Sequence, residues 1–67
     1  MALYRYTGPV LVFDKAVIEE VRLVTQAKTE GRAMANFEYR MRQKLGLESN
    51  VKIRLIGELA KIREDYA

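Results

Sequence analysis

The sequence predicts an α+β fold of order β-β-α-β, a three-stranded, mainly antiparallel sheet (order 2-1-3) with one helix packed on one face. Three observations carry this expectation. The first 27 residues are rich in β-branched and aromatic side chains, with one short polar break at Asp14-Lys15. Residues 29–45 show a helical apolar stripe between residues suited to cap a helix. Val51-Lys52-Ile53-Arg54-Leu55 alternates strictly between apolar and cationic side chains.

The first strand reads over Ala2–Thr7, where Leu3, Tyr4 and Tyr6 supply β-forming side chains. Gly8-Pro9 interrupts it. Proline has no N–H for a ladder, so the strand must bulge there or lie at an edge. Val10-Leu11-Val12-Phe13 resumes it, and Asp14-Lys15 supplies turn chemistry. Val17–Ala27 fits two patterns. As a helix it places Val17, Val21 and Val24 on one face behind a cap at Asp14. As a strand it alternates, and five β-branched residues within Val17–Thr25 tip the balance toward strand.

Thr29–Leu45 is the clearest element. Thr29 suits the N-cap, and Glu30 in the first turn suits the positive end of the helix dipole. Ala33, Met34, Phe37, Met41 and Leu45 form one stripe, while Arg40, Arg42 and Lys44 load the last turns with cations. Gly46 fits a left-handed cap, with Leu47 free to fold back on Met41 or Arg42. The last strand places Val51, Ile53 and Leu55 toward the core and Lys52 and Arg54 outward. Gly57 marks a bulge or bend. Glu58–Arg63 either continues the strand in the opposite phase, which is preferred, or begins a short helix from Leu59, Ile62 and Tyr66.

Composition narrows the chemistry. Sixty-seven residues suffice for a single domain, 1–67, and 49% apolar with 31% charged residues suits a globular one. A domain this small buries a modest share of its surface, so a homodimer is a fair expectation. No Cys and no His occur, which removes thiolate nucleophiles, imidazole bases and the common zinc ligand sets. Ser49 and the threonines have no base beside them. The adjacent pairs Glu19-Glu20 and Glu64-Asp65 do not converge by local spacing, and no phosphate-cradling glycine loop occurs. A pocket of ~300 Å³ or more is hard to carve from so small a core. Catalysis, a metal, a cofactor and a small-molecule substrate are therefore not expected. No apolar run reaches the roughly 18 residues of a membrane span and the start lacks a secretory layout, so the expected location is the cytoplasm, with no membrane partner.

Charge is the remaining guide. The net charge is +3, and Lys28–Arg54 holds seven cations against three acids, a local +4. Such a field attracts polyanions. Arg40, Arg42, Lys44, Lys52 and Arg54 are the candidate nucleic-acid-binding residues, joined on the sheet by Arg5 and by Tyr4 or Tyr6 if these are not rim residues of the core. No known nucleic-acid module motif is present. The rival expectation is a protein-interaction or structural module, a homodimer formed through the open sheet face or an edge.

Tyr4-Arg5-Tyr6-Thr7-Gly8-Pro9-Val10 followed by Phe13 resembles the start of small uncharacterised proteins of bacterial phages and integrative elements. Thr25-Gln26-Ala27-Lys28-Thr29 with Ala33, Asn36, Tyr39-Arg40 and Lys44 continues the likeness, as does Val51-Lys52-Ile53 with Ile56-Gly57-Glu58. The resemblance implies a mobile-element gene and a hairpin–helix–strand domain, and it favours a strand at Val17–Ala27. It brings no assigned activity or site.

Overall fold

In a computed structural model, residues 1–64 are described; Asp65 of the second carboxylate pair and Tyr66 of the alternative terminal helix lie outside them. The elements are β1 (Ala2–Val12), β2 (Lys15–Ala27), α1 (Glu30–Leu45), β3 (Ile53–Arg54) and β4 (Glu58–Arg63). The sheet order is β2-β1-β3, with β4 also paired to β1, and all three pairings are antiparallel. The expected α+β class, topology and strand order are present. The third lane differs in detail. It is two short strands on the same edge of β1, with β4 beside Leu3–Thr7 and β3 beside Leu11–Val12. Val51 and Leu55, expected in that strand, flank β3 outside it.

Pro9 explains the broken lane. A proline in a central strand withholds one ladder donor, and both neighbours depart from β1 where it stands. On the β2 side, Gly8 pairs with Val21 and Val10 with Ile18, so Glu19 and Glu20 face Pro9 alone in a bulge. On the other side, pairing stops at Thr7–Glu58 and restarts at Leu11–Arg54. The gap is closed by Tyr6. Its hydroxyl donates to the Pro9 carbonyl at 2.6 Å and accepts the Gly57 N–H at 3.0 Å.

Gly8 and Gly57 meet above that hydroxyl. Gly8 has φ 151°, a conformation that L side chains rarely adopt. A Cβ on Gly57 would lie 2.3 Å from the Thr7 carbonyl oxygen and 2.7 Å from the Gly8 Cα. Neither strand can yield there without giving up the other's contact.

The helix is terminated as its sequence predicts. Thr29 is extended at the N-cap and its hydroxyl accepts the Arg32 N–H at 3.2 Å. Gly46 adopts φ 66°, ψ 34°, and the Leu47 N–H returns to the Arg42 carbonyl at 2.9 Å, closing a Schellman cap. Leu47 then packs against the cluster that Met41 forms with Val10 and Ile53.

The core lies between α1 and one sheet face, in two adjoining clusters. Ala2, Tyr4, Tyr6, Ala27, Ala33 and Phe37 form one, with the Tyr6 and Phe37 rings tilted 42° at a 6.1 Å centroid separation. Val10, Met41 and Ile53 form the other. The predicted stripe is placed correctly: Ala33, Phe37, Met41 and Ile53 are buried, and Met34, Leu45 and Leu55 pack against the clusters. Val51 is half-buried and belongs to neither. Tyr4 and Tyr6, considered above for the rim or an open face, are 3% and 0% exposed.

Tyr6→Phe should cost about 1–3 kcal/mol, because it removes a buried hydroxyl that serves the half-buried Pro9 carbonyl and the Gly57 N–H while keeping the ring. Urea unfolding should show that loss as a lower midpoint at unchanged slope. Gly57→Ala should destabilise more than Tyr6→Phe, since the strand contact itself must open.

Candidate nucleic-acid interface

The cations singled out in the sequence divide between two sides of the molecule. Arg40 stands on α1, and its guanidinium donates to the Val24 carbonyl and, at 3.4 Å, to Thr25 Oγ1. One helical turn earlier, Asn36 Nδ2 donates to Thr25 Oγ1 at 3.3 Å and to the Gln26 carbonyl at 3.4 Å. The i, i+4 spacing sets both side chains over β2, where they occupy carbonyls of an outer strand. Arg42 is similarly engaged. Its Nη1 donates to the carbonyls of Glu48 at 2.6 Å and Val51 at 2.7 Å, pinning the connection between α1 and β3. Lys44 is exposed in the last helical turn, and Lys52 is exposed immediately before β3.

Arg54 alone of the five lies on the sheet. It sits opposite Leu11, on the face away from α1, and forms a 2.8 Å ion pair with Asp14 of the hairpin turn. The structure therefore does not gather the five into one surface. Arg40 and Arg42 hold backbone, Lys44 lies on the helix, and Arg54 belongs to the opposite face.

That opposite face carries a cationic group the charge count along the chain does not show. Residues paired across an antiparallel ladder share a face. Arg5 is opposite Val24 on β2 and Ala60 on β4. Arg22 is opposite Thr7, Arg54 opposite Leu11, and Arg63 opposite Leu3. Leu3, Arg5, Thr7 and Leu11 are the β1 residues that alternate with the buried Ala2, Tyr4, Tyr6 and Val10. Each of the four strands thus contributes one arginine to the uncovered face. Arg22 and Arg63 occupy diagonal positions to Arg5, about 7–8 Å apart at the backbone in sheet geometry. Glu58, opposite Thr7, shares the face with them, the bulged Glu19-Glu20 stands opposite Pro9 beside Arg22, and Asp14 flanks the face at the turn.

Arg5 joins this surface as its position in the alternation requires, and for the same reason Tyr4 and Tyr6 do not. The signal was in the sequence as phase: in Tyr4-Arg5-Tyr6 the arginine and the tyrosines must face opposite ways. Arg22 between Val21 and Leu23 repeats it.

The other polar features belong to the rim. Lys61 donates to Glu64 at 2.7 Å, and this contact, first as a hydrogen bond and then as a charge, holds the Glu64 carboxyl below its ordinary range and raises Lys61. The pair borders a surface hollow of about 350 Å³ lined also by Met1, Ala2, Tyr4 and Lys28. A second hollow, of about 290 Å³, lies beside it against Gln26, Arg32 and Asn36. Hollows of this size were not expected. Both are open to the surface beside Met1 and Lys28, and neither is a cavity enclosed by the core. No helix among the described residues is long and apolar enough to cross a membrane.

Arg42→Ala should lower the stability of the fold by about 1–3 kcal/mol, read by thermal or urea unfolding, since two carbonyls lose a charged donor. Lys44→Ala, on the same helical turn, should change stability by less than about 0.5 kcal/mol.

Comparison with protein-family models, with curated proteins and with solved structures finds no match to this chain.

Proposed function

We propose that this protein is a non-enzymatic nucleic-acid-binding protein whose contact surface is the sheet face uncovered by α1. The observation that supports it is the placement of one arginine per strand on that face: Arg5, Arg22, Arg54 and Arg63. Guanidinium groups bind phosphate in bidentate fashion and stack on bases. Arg5 and Arg22, set on diagonal positions, repel one another in the free protein, and a polyanion relieves that repulsion. Exposed Lys52, next to β3, extends the cationic surface, whereas Arg40 and Arg42 serve the fold. With the resemblance noted above, this describes an accessory protein of a phage or mobile element, acting in the cytoplasm where its polyanion resides.

A second reading rests on the apolar side chains among these arginines. Val24, opposite Arg5, is 40% exposed, and half-buried Leu3 shares the face. Two copies packing these faces together would form a homodimer, at the cost of bringing the arginines into opposition.

Fluorescence anisotropy with labelled oligonucleotides separates the two. The double variant Arg5→Glu/Arg22→Glu should weaken binding at least tenfold and flatten its dependence on salt, each lost phosphate contact removing about 0.7–0.9 from the log–log slope. Lys44→Glu, on the helix side, should weaken it far less. Absence of binding at low salt, together with a concentration-dependent dimer in sedimentation, would replace this reading with the second.

A further inference from the structure

The β1–β2 hairpin turns on two residues, Phe13 and Asp14, with φ 51° and 64°. Two consecutive left-handed residues define a primed hairpin turn, where Asn, Asp and Gly are favoured. Asp14 conforms. Phe13 does not, because a bulky side chain is rarely left-handed. Its ring gains no burial in return, since it is 66% exposed, the largest value among the large hydrophobic residues described.

The turn is nevertheless tied to the chain around β3 at two points. The Phe13 N–H donates to the Lys52 carbonyl at 3.4 Å, and the Asp14 carboxylate takes Arg54 at 2.8 Å. The ring is thus exposed at the hairpin tip, on a strained backbone, with Lys15 at the end of the turn and Lys52 and Arg54 in contact with it. Strain kept where it does not serve packing points to a contact made outside the chain.

From this geometry we infer that Phe13 is an aromatic anchor that stacks on a nucleobase of the bound nucleic acid. The inference rests on the reading of the arginine face, to which Arg54 joins the tip directly. Phosphates following the arginines bring bases to the end of the hairpin, where a flat apolar ring meets a π-face. The cations around it match a polyanion. A lipid-inserting tip would instead cluster several apolar side chains, and here Asp14 and Lys15 follow the ring. The base can be unpaired or part of an opened duplex step; the chemistry recognised is the same.

Two variants test this. The chain contains no Trp, so Phe13→Trp places a single indole at the tip. Stacking should quench its emission on titration with oligonucleotide. Quenching by a single strand alone identifies an unpaired base, and quenching by a hairpin duplex as well identifies an opened step. Phe13→Asn suits the turn, so it should unfold at higher denaturant while binding the same oligonucleotide about five- to a hundred-fold more weakly. Unchanged affinity of Phe13→Asn, with affinity lost in Arg5→Glu/Arg22→Glu, would overturn the anchor and leave the arginine face standing. No binding by the unaltered protein would overturn both. A blue shift of the indole on phosphatidylglycerol vesicles, without quenching by any oligonucleotide, would overturn the anchor in favour of a lipid surface.

Discussion

A proline in the middle of the central strand governs this structure. Strands on either side of β1 leave it near Pro9, and each does so differently: β2 bulges through Glu19 and Glu20, and the third lane divides into β3 and β4. Such a break in a three-lane sheet would normally expose backbone and loosen the pairing on both sides of it. Tyr6 prevents that. Its buried hydroxyl serves the Pro9 carbonyl and the Gly57 N–H together, and the Gly8–Gly57 contact lets the chain cross close enough for one oxygen to reach both. No buried side-chain polar atom among the described residues is left without a partner.

The split core follows from the same break. Tyr4 and Tyr6 pack against Phe37 and Ala33 in the first half of α1, while Val10 and Ile53 pack against Met41 in the second. Half-buried Leu55, between β3 and β4, touches both clusters and carries packing across the gap. A single helix cannot cover three lanes from both sides, so it also secures the sheet laterally. Asn36 and Arg40 occupy carbonyls of β2, and Arg42 fastens the chain leading to β3. In a domain this small, long polar side chains do work that larger proteins leave to additional elements.

Local rules made much of the fold legible. Thr29, Gly46 and the Ala33–Phe37–Met41 stripe act over one or two turns, so their roles follow from spacing alone. The β-branched residues of Val17–Thr25 decided strand against helix for the same reason. What stayed hidden depends on tertiary placement. Nothing near Tyr6 in sequence reveals that its hydroxyl meets Gly57, fifty-one positions on. The division of the last strand needed knowledge that Pro9 lies opposite it. The candidate site suffered most, because Arg40 and Arg42 look like free surface cations until the carbonyls they bind are in place.

The apparent concentration of charge between Lys28 and Arg54 is therefore not a concentration in space. Of its seven cations, Arg40 and Arg42 are committed to backbone, Lys44 looks away on the helix, and Arg54 lies across the sheet from them. Arg5 and Arg22, which a count along the chain assigns to a stretch of no net charge, stand on the face Arg54 shares. The folded sheet sorts by parity: even members of β1 go to the helix and odd members to the open side. That sorting sends aromatic rings inward and guanidinium groups outward, so any stacking at the open side must come from guanidinium planes or from the hairpin tip. A face built this way sets guanidinium groups along its length and a single exposed ring at its end.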